Sequence, residues 1–300
     1  MQNTKQKLIA IVGPTATGKS DLAVKIAQRH RGEVISADSR QVYVGLDIGS
    51  GKITKREMKG VPHHLLDVVS PKKRFSVSDY VKHASKALAD IEKREKLPII
   101  AGGTGLYVDG FLNGIVFPEV PPNSLLRKKL ERKTLKELAR MLKAKDPVRF
   151  KSIDTNNKVR LIRALEIISA LGKVPKQSTK PLERDILWIG LTDSPTELRK
   201  RIERRLLVRL KKGMEREVGA LKKSGVSWKR FDALGLEYRY IARYLQGKIS
   251  KKEMVAELLK ESIAYSKRQM TWFKRNQKIQ WFKPGETKKI EKLTQSFLAR

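Results

Sequence analysis

Short apolar segments recur along the chain, and the stretches between them carry apolar residues at a helical period. Five segments have the composition of buried strands: 7–12 (KLIAIV), 33–37 (EVISA), 97–102 (LPIIAG), 185–191 (DILWIGL) and 278–282 (KIQWF). Continuous apolar strands that alternate with helices are typical of a parallel sheet covered on both faces. The pattern therefore predicts an α/β fold built on a parallel sheet.

Three helix beginnings are marked by a capping box, in which Ser or Thr is followed three residues later by Glu. The pairs are Thr134 with Glu137, Ser194 with Glu197, and Ser250 with Glu253. Each pair precedes an apolar-periodic stretch, so we expect a helix to begin at each.

The gap between the third and fourth predicted strands is far longer than the crossover of about a dozen residues that a parallel pair needs. It opens with a proline-rich segment, 117–124 (FPEVPPNS), continues through basic helical patterns and ends near 172–183 (GKVPKQSTKPLE). We therefore expect an α/β core formed by residues 1–118 and 184–300, with a small helical insertion, 119–183.

The composition favours a polyanionic partner. The 300 residues include 66 Lys and Arg against 31 Asp and Glu, a formal net charge of +35 that is spread along the chain. Such a surface repels itself unless it meets a polyanion, and nucleic acid explains it better than a merely solubilising lysine face. With no cysteine and four histidines, disulfides and zinc-thiolate sites are excluded and a histidine-built metal site is not favoured.

The sequence predicts neither a membrane span nor an export signal. No apolar run approaches the roughly 18 residues that span a bilayer, and the first residues, MQNTKQK, lack a signal-peptide core. We expect a soluble, cytoplasmic protein.

Residues 11–20 (IVGPTATGKS) contain Gly13, Gly18, Lys19 and Ser20 at the G-x-x-x-x-G-K-[ST] spacing of a phosphate-binding loop. A strand precedes this loop and an amphipathic helix follows it, as the motif requires. The loop amides and Lys19 are suited to an anion, and the Ser20 hydroxyl to Mg²⁺. The residues predicted to bind phosphate are Gly13, Pro14, Thr15, Ala16, Thr17, Gly18, Lys19 and Ser20.

The acid that usually accompanies this loop in an ATPase or GTPase is not evident. The one candidate, Asp193, directly precedes a predicted helix start. Asp38 instead follows the second strand, and Thr104 follows the third, so both fall at the carboxyl edge where open α/β sheets collect ligands. The residues alone leave three roles open for Asp38: general base, magnesium ligand or helix cap.

Six segments, in this order, resemble the bacterial tRNA dimethylallyltransferases: GPTATGKS, ADSRQVY, VPHHLLD, GGTGLY, VRLIRALE and SKRQMTWFKR. The resemblance extends from about Leu8 to Phe282. It implies a P-loop NTPase-like, kinase-like core and an enzyme, a prenyltransferase. The implied reaction moves a dimethylallyl group from dimethylallyl diphosphate to N6 of the adenine 3′ of the anticodon in tRNA, with Mg²⁺, and releases diphosphate.

The resemblance also implies roles for individual residues. Lys19 and Arg205 would meet the diphosphate, Asp38 would take the proton from N6, and Thr104 would lie near the target nucleotide. The predicted partner is the anticodon stem-loop, bound by a monomer. The residues implied to touch tRNA are Asp38, Ser39, Arg40, Gln41, Thr104, Arg127, Val159, Arg160, Leu161, Ile162 and Arg163.

Other residues of these segments have simpler interpretations. Trp272 and Phe273, within SKRQMTWFKR, either stack on bases or belong to the core of the last long helix, and the core is favoured. His63 and His64 are expected to organise a loop or to contact RNA backbone, because the chemistry requires neither.

Three departures from the family pattern stand out. DIGSGKI replaces DIGTAKP, Arg209 stands where a methionine is usual, and ALGLEYR replaces AIGYKE. They leave the phosphate loop and Asp38 intact.

Three other functions remain open at this point. A small-molecule P-loop kinase would gain nothing from so basic a surface. An adenylate isopentenyltransferase would need no RNA-binding insertion. A noncatalytic RNA-binding protein with a vestigial loop is disfavoured by the intact Gly13, Gly18, Lys19, Ser20 and Asp38.

Overall fold

A six-stranded, all-parallel sheet forms the centre of the protein, as seen in a computed structural model that describes residues 6–176 and 178–300. The strands are β1 (Lys7–Val12), β2 (Gly32–Ser36), β3 (His63–His64), β4 (Leu97–Gly102), β5 (Asp185–Leu191) and β6 (Gln280–Phe282). Their order across the sheet is β3-β2-β4-β1-β5-β6. The predicted α/β fold with a parallel sheet is confirmed.

The described part of the chain also contains fourteen helices, which lie between and after the strands in sequence. They are α1 (Lys19–Arg29), α2 (Lys55–Met58), α3 (Val77–Lys93), α4 (Gly105–Leu112), α5 (Ser124–Glu131), α6 (Leu135–Lys145), α7 (Pro147–Ser152), α8 (Lys158–Leu171), α9 (Pro195–Lys211), α10 (Met214–Lys223), α11 (Trp228–Leu234), α12 (Leu236–Leu245), α13 (Lys251–Phe273) and α14 (Thr287–Ala299). None is long and apolar enough to cross a membrane.

Helices cover the sheet on both faces, which explains the continuous apolar strands. Successive residues of β1 point to opposite faces: Leu8 and Ala10 pack with α3 and α4, while Ile9 and Ile11 pack with α1 and α14. Both sets are fully buried. A third apolar cluster, built mainly by α9 to α13, surrounds Phe231 and Tyr238.

The chain divides into two compact units, one running to Gly114 and resuming at Pro181–Arg300, the other spanning Ile115–Lys180. The second unit, which we call the insertion unit, holds α5 to α8 around a leucine-rich core of its own, which includes Leu138, Leu142 and Leu161. Ile115 and Thr179 form an antiparallel bridge, so the two ends of this unit lie side by side.

The structure corrects two sequence-based expectations. His63 and His64 form the edge strand β3, paired with Val34 and Ile35; a polar strand of two residues has no apolar pattern to reveal it. The predicted capping boxes are complete at Thr134 and Ser250. At Ser194 only half forms, because the Glu197 carboxylate binds Lys200 instead of returning to the cap.

Candidate active site

The phosphate-binding loop connects the end of β1 to the first turn of α1. Gly13 has a φ of 134°, and a Cβ added there would lie 2.2 Å from the carbonyl oxygen of Leu191, so glycine is required. Thr17 Oγ1 and Lys19 Nζ both donate hydrogen bonds to the Pro14 carbonyl, at 2.9 and 2.6 Å. The loop is therefore held in its curved form by its own side chains.

Lys19 places its amine against the phosphate-binding loop, within hydrogen-bond distance of the Pro14 carbonyl. Burial, followed by the charge of Arg205, lowers the pKa of Lys19 to about 7, against an opposing contribution from Asp38. An amine in this state gains from a bound anion, because an anion would favour its protonated form. The loop is thus suited to an anionic group.

Asp38 follows β2 at the carboxyl edge of the sheet. Its Oδ1 accepts hydrogen bonds from the amides of Arg40, at 2.7 Å, and Gln41, at 3.3 Å. No donor in the described part of the chain reaches Oδ2. Asp38 therefore fixes its own turn with one oxygen and leaves the other available as an acceptor.

Thr104 lies at the start of α4 and braces the Asp38 turn. Its Oγ1 accepts from the Ser39 amide at 3.0 Å, and its own amide donates to Ala37 O at 3.1 Å. Nearby, burial and the charge of Asp38 raise the pKa of Tyr265 to about 12. A cavity adjoins this turn. Tyr265 is among the described residues that line it, whereas Thr104 is not.

Gln269, on α13, was missed by the sequence reasoning. Its Oε1 accepts from the Thr15 amide and its Nε2 donates to Gly103 O, each at 2.8 Å. The side chain is buried, with 6% exposed. The available signal was its place within SKRQMTWFKR, where a lone amide stands among basic and aromatic residues.

Lys19, Asp38, Tyr265 and Gln269 line one cavity of about 830 Å³. The phosphate-binding loop, Asp38 and Arg205 all line it, together with further cations of α9 and a few apolar side chains: Lys200, Arg201, Arg204, Val34, Ile53 and Ala101. In the described part of the chain, Arg205 makes no hydrogen bond or salt bridge. The cavity therefore places a free guanidinium, the Lys19 amine and the Asp38 carboxylate around one space.

No cluster of three or more His, Cys, Asp or Glu suitable for a metal is found among the described residues. Ser20 lines the cavity at the start of α1, and its hydroxyl has no hydrogen-bond partner in that same part of the chain. Magnesium typically keeps several waters and takes few protein ligands beside phosphate oxygens. The donor set fits that mode of binding and excludes a cage made by protein alone.

The residues predicted to touch RNA from the insertion unit differ in exposure. Val159 and Arg160 are exposed at the start of α8. Leu161 and Ile162 are buried in the core of the unit, so the expected contact cannot be made by their side chains. A helix turns about 100° per residue, so Leu161 and Ile162 face the core of the unit when Val159 and Arg160 face outward.

Arg127 and Arg163 converge on Glu166, another residue that sequence reasoning missed. Arg127 binds the Glu166 carboxylate with two nitrogens, at 2.8 and 2.7 Å. Arg163 binds the same carboxylate and donates to Val120 O at 2.9 Å. The Glu166 side chain is fully buried, so both arginines are held by a carboxylate beneath them.

The aromatic residues at the end of α13 serve the core. Phe273 is 2% exposed and packs in the cluster beside α3 and α4, which confirms the favoured interpretation. Trp272 is partly buried there, donates from Nε1 to Asp109 at 2.7 Å and lies under the Arg275 guanidinium.

Comparisons with known proteins identify the family to which this chain is similar. The family model described as IPP transferase matches residues 41–276. The tRNA dimethylallyltransferase of Anoxybacillus flavithermus is 40% identical over 92% of this chain and 90% of its own length. That of Bacillus subtilis is 38% identical over 94% of this chain and 92% of its own.

Solved structures give the same result. A tRNA isopentenylpyrophosphate transferase from Bacillus halodurans is 35% identical with a TM-score of 0.75, and the match covers 98% of this chain and 97% of that one. A eukaryotic dimethylallyltransferase acting on tRNA is 25% identical with a TM-score of 0.79, over 93% and 74% of the two chains.

Proposed function

The chain belongs to the IPP transferase family, and we propose that it modifies tRNA by transferring a dimethylallyl group from dimethylallyl diphosphate to N6 of the adenine 3′ of the anticodon. The family predicted from the six sequence segments is confirmed, and so is the P-loop NTPase-like fold of its solved members. Its relatives' names favour this reaction over a small-molecule kinase and an adenylate isopentenyltransferase.

One observation carries the proposal: a phosphate-binding loop and a carboxylate with a free oxygen line the same cavity. The loop, Lys19 and Arg205 supply positive charge to this cavity. Asp38 supplies a proton acceptor to the same space. Transfer of an alkyl group from a diphosphate to a weakly basic amine needs both.

We assign the diphosphate to the loop. As the bond between the prenyl carbon and the diphosphate oxygen breaks, its electron pair stays with the diphosphate. Lys19, the loop amides and the Arg205 guanidinium stabilise that charge. Mg²⁺, held through Ser20 and the diphosphate oxygens, would supply further charge neutralisation when bound.

We assign the acceptor side to Asp38. The adenine amino nitrogen forms the new bond to the prenyl carbon and becomes acidic as it does so. Its proton then passes to Oδ2 of Asp38, the oxygen that the local turn leaves free. Thr104 keeps the Asp38 turn in place through the Ser39 amide.

We infer that tRNA is held mainly through phosphates by the strongly basic surface, with Val159 and Arg160 as exposed contacts. The segment Asp38–Gln41 would meet the target nucleotide, which must leave its stack to reach the cavity. We propose that the protein acts in the cytoplasm as a monomer, because a monomer leaves the cavity open to a large RNA.

The test is transfer of radiolabel from dimethylallyl diphosphate to unmodified tRNA with Mg²⁺, run beside AMP as acceptor and labelled ATP as donor. Label should appear in tRNA alone and map by nuclease digestion to the adenine 3′ of the anticodon. Label in AMP, or transfer from ATP only, would refute the proposal.

A further inference from the structure

The three places where this chain departs from the family pattern meet beside the cavity. Arg209 donates from one nitrogen to Oε1 of Glu237 at 2.9 Å and from another to the carbonyl of Gly49. Gly51 follows in the same loop, with a φ of 63°. A Cβ added at Gly51 would lie 3.2 Å from Arg205 and 3.7 Å from Arg209, measured to guanidinium nitrogens. We call Gly51, Arg209 and Glu237 the Arg209 group.

The ion pair of the Arg209 group is largely withdrawn from water. The Arg209 and Glu237 side chains are 18% and 11% exposed. A carboxylate this enclosed is costly unless a cation pairs with it. If Arg209 were removed, Glu237 would therefore take another cation within reach.

Arg205 is that cation. It lies one helical turn before Arg209 on α9, hence on the same face. The charges of Arg209 and Glu237 both act on its guanidinium. In the structure, Arg209 occupies Glu237, and Arg205 lines the cavity without a hydrogen bond or salt bridge in the described part of the chain.

The loop that contributes Gly51 is itself fixed. The Glu217 carboxylate accepts hydrogen bonds from the amides of Asp47, Ile48 and Gly49 and from the Tyr238 hydroxyl. Gly51 therefore lies on a loop that hydrogen bonds hold in place. The space beside Gly51, where the guanidinium groups of Arg205 and Arg209 lie, is fixed by the same hydrogen bonds.

We propose that Arg209 is a positioning residue for the donor: it keeps Glu237 from capturing Arg205, so that the Arg205 guanidinium stays free to meet the diphosphate. Gly51 leaves the space in which the two guanidinium groups lie side by side. This inference rests on the proposed function, because it takes the anion in the cavity to be the donor's diphosphate.

The experiment compares wild type, Arg209→Met and the double variant Arg209→Met with Glu237→Gln. The dissociation constant for inorganic diphosphate and the KM for dimethylallyl diphosphate should each rise about tenfold in Arg209→Met, with a smaller change in kcat. In the double variant both should return to within about threefold of wild type, because the unpaired carboxylate is gone.

Lys251→Met is the matched control, since it removes an exposed ion pair with Glu215 and should leave both constants unchanged. Thermal unfolding of every variant separates positioning from a purely structural role, which would lower the melting temperature of Arg209→Met without weakening diphosphate binding. That result, or a double variant no better than Arg209→Met, would overturn the inference. If wild type binds inorganic diphosphate but prenylates no tRNA, the proposed function fails while the binding comparison still decides the role of Arg209.

Discussion

The side-chain amide of Gln269 donates a hydrogen bond to the carbonyl oxygen of Gly103 at 2.8 Å. The carbonyl of the same amide accepts from Thr15, in the phosphate-binding loop. One buried side chain thus joins the loop assigned to the donor to the loop that braces Asp38. A primary amide suits this position because one end must accept and the other must donate.

Gln269→Met should therefore lower kcat/KM about a hundredfold, since two buried polar groups lose their partners and both loops lose their tie. Gln269→Glu should not restore activity, because a carboxylate cannot donate to Gly103 and places negative charge beside the diphosphate. Steady-state kinetics with both substrates measure this. Gln246→Met is the control, because the Gln246 side chain caps α12 by donating to Ala242 O and has no other partner among the described residues. Near-normal activity in Gln269→Met would show that Gln269 does not have this role.

Asp38→Asn should cut kcat by about a thousandfold while tRNA affinity stays within a few fold. The amide oxygen of Asn can still accept from Arg40 and Gln41, so the turn survives, but the proton acceptor is lost. Single-turnover transfer and filter binding provide the two readings. Asp232→Asn, at an exposed acid, should leave both unchanged, and rapid transfer by Asp38→Asn would assign the proton elsewhere.

The pKa of Lys19, lowered to about 7 chiefly by burial, predicts donor binding that weakens as pH rises above 7. Only the protonated amine attracts the diphosphate, so affinity should fall by up to about tenfold per pH unit beyond that value, relative to Lys19→Met. Titration calorimetry with inorganic diphosphate at several pH values tests this. Parallel pH profiles for wild type and Lys19→Met would contradict it.

Unfolding should show the linked effect. The unfolded chain keeps the Lys19 proton up to about pH 10.5, whereas the folded chain releases it near 7. Because the unfolded state then binds more protons, the Lys19 contribution to stability should increase between these pH values in the absence of ligand. Urea unfolding of wild type and Lys19→Met across this range measures the difference.

Glu166→Gln should destabilise the insertion unit by about 3 kcal/mol, since Arg127 and Arg163 lose the charge that pairs them. Burial alone would raise the pKa of Glu166, but hydrogen bonds from these arginines outweigh it and hold the pKa below its ordinary value. The stabilisation should therefore be present above the ordinary glutamate pKa and be lost as pH falls through the lower folded value.

Urea unfolding at several pH values measures the Glu166 effect. Glu119→Gln, at an exposed position of the same unit, serves as control and should change stability by less than about 0.5 kcal/mol. Equal stability of Glu166→Gln and wild type at neutral pH would show that the buried carboxylate is dispensable.

The long buried strands could be predicted from sequence because each is a continuous apolar run bounded by polar residues. The predicted bounds of 97–102 and 185–191 match β4 and β5. The edge strand β3 could not, since His63 and His64 are polar and only backbone pairing defines it. A local sequence pattern reveals a strand whose side chains are buried. It does not reveal a strand that is defined only by its backbone pairing.

The candidate site divides in the same way. The phosphate-binding loop is contiguous, so its residues can be recognised from one ten-residue segment, 11–20. Gln269 acts on Thr15, 254 positions away, and Arg209 acts on Gly49, 160 positions away. Such contacts depend on which helices and loops become neighbours in the fold, and no local period encodes that.

The central position of β1 in the sheet affects how the protein folds during its synthesis on the ribosome. β1 pairs with β4 on one side and with β5 on the other, so the nascent chain must be synthesised through Leu191 before its first strand is enclosed. At typical elongation rates that takes about ten seconds or more. During this interval the apolar side chains of β1, including Leu8, Ile9 and Ile11, are exposed to solvent. We expect chaperones that bind exposed apolar segments to bind the nascent chain early.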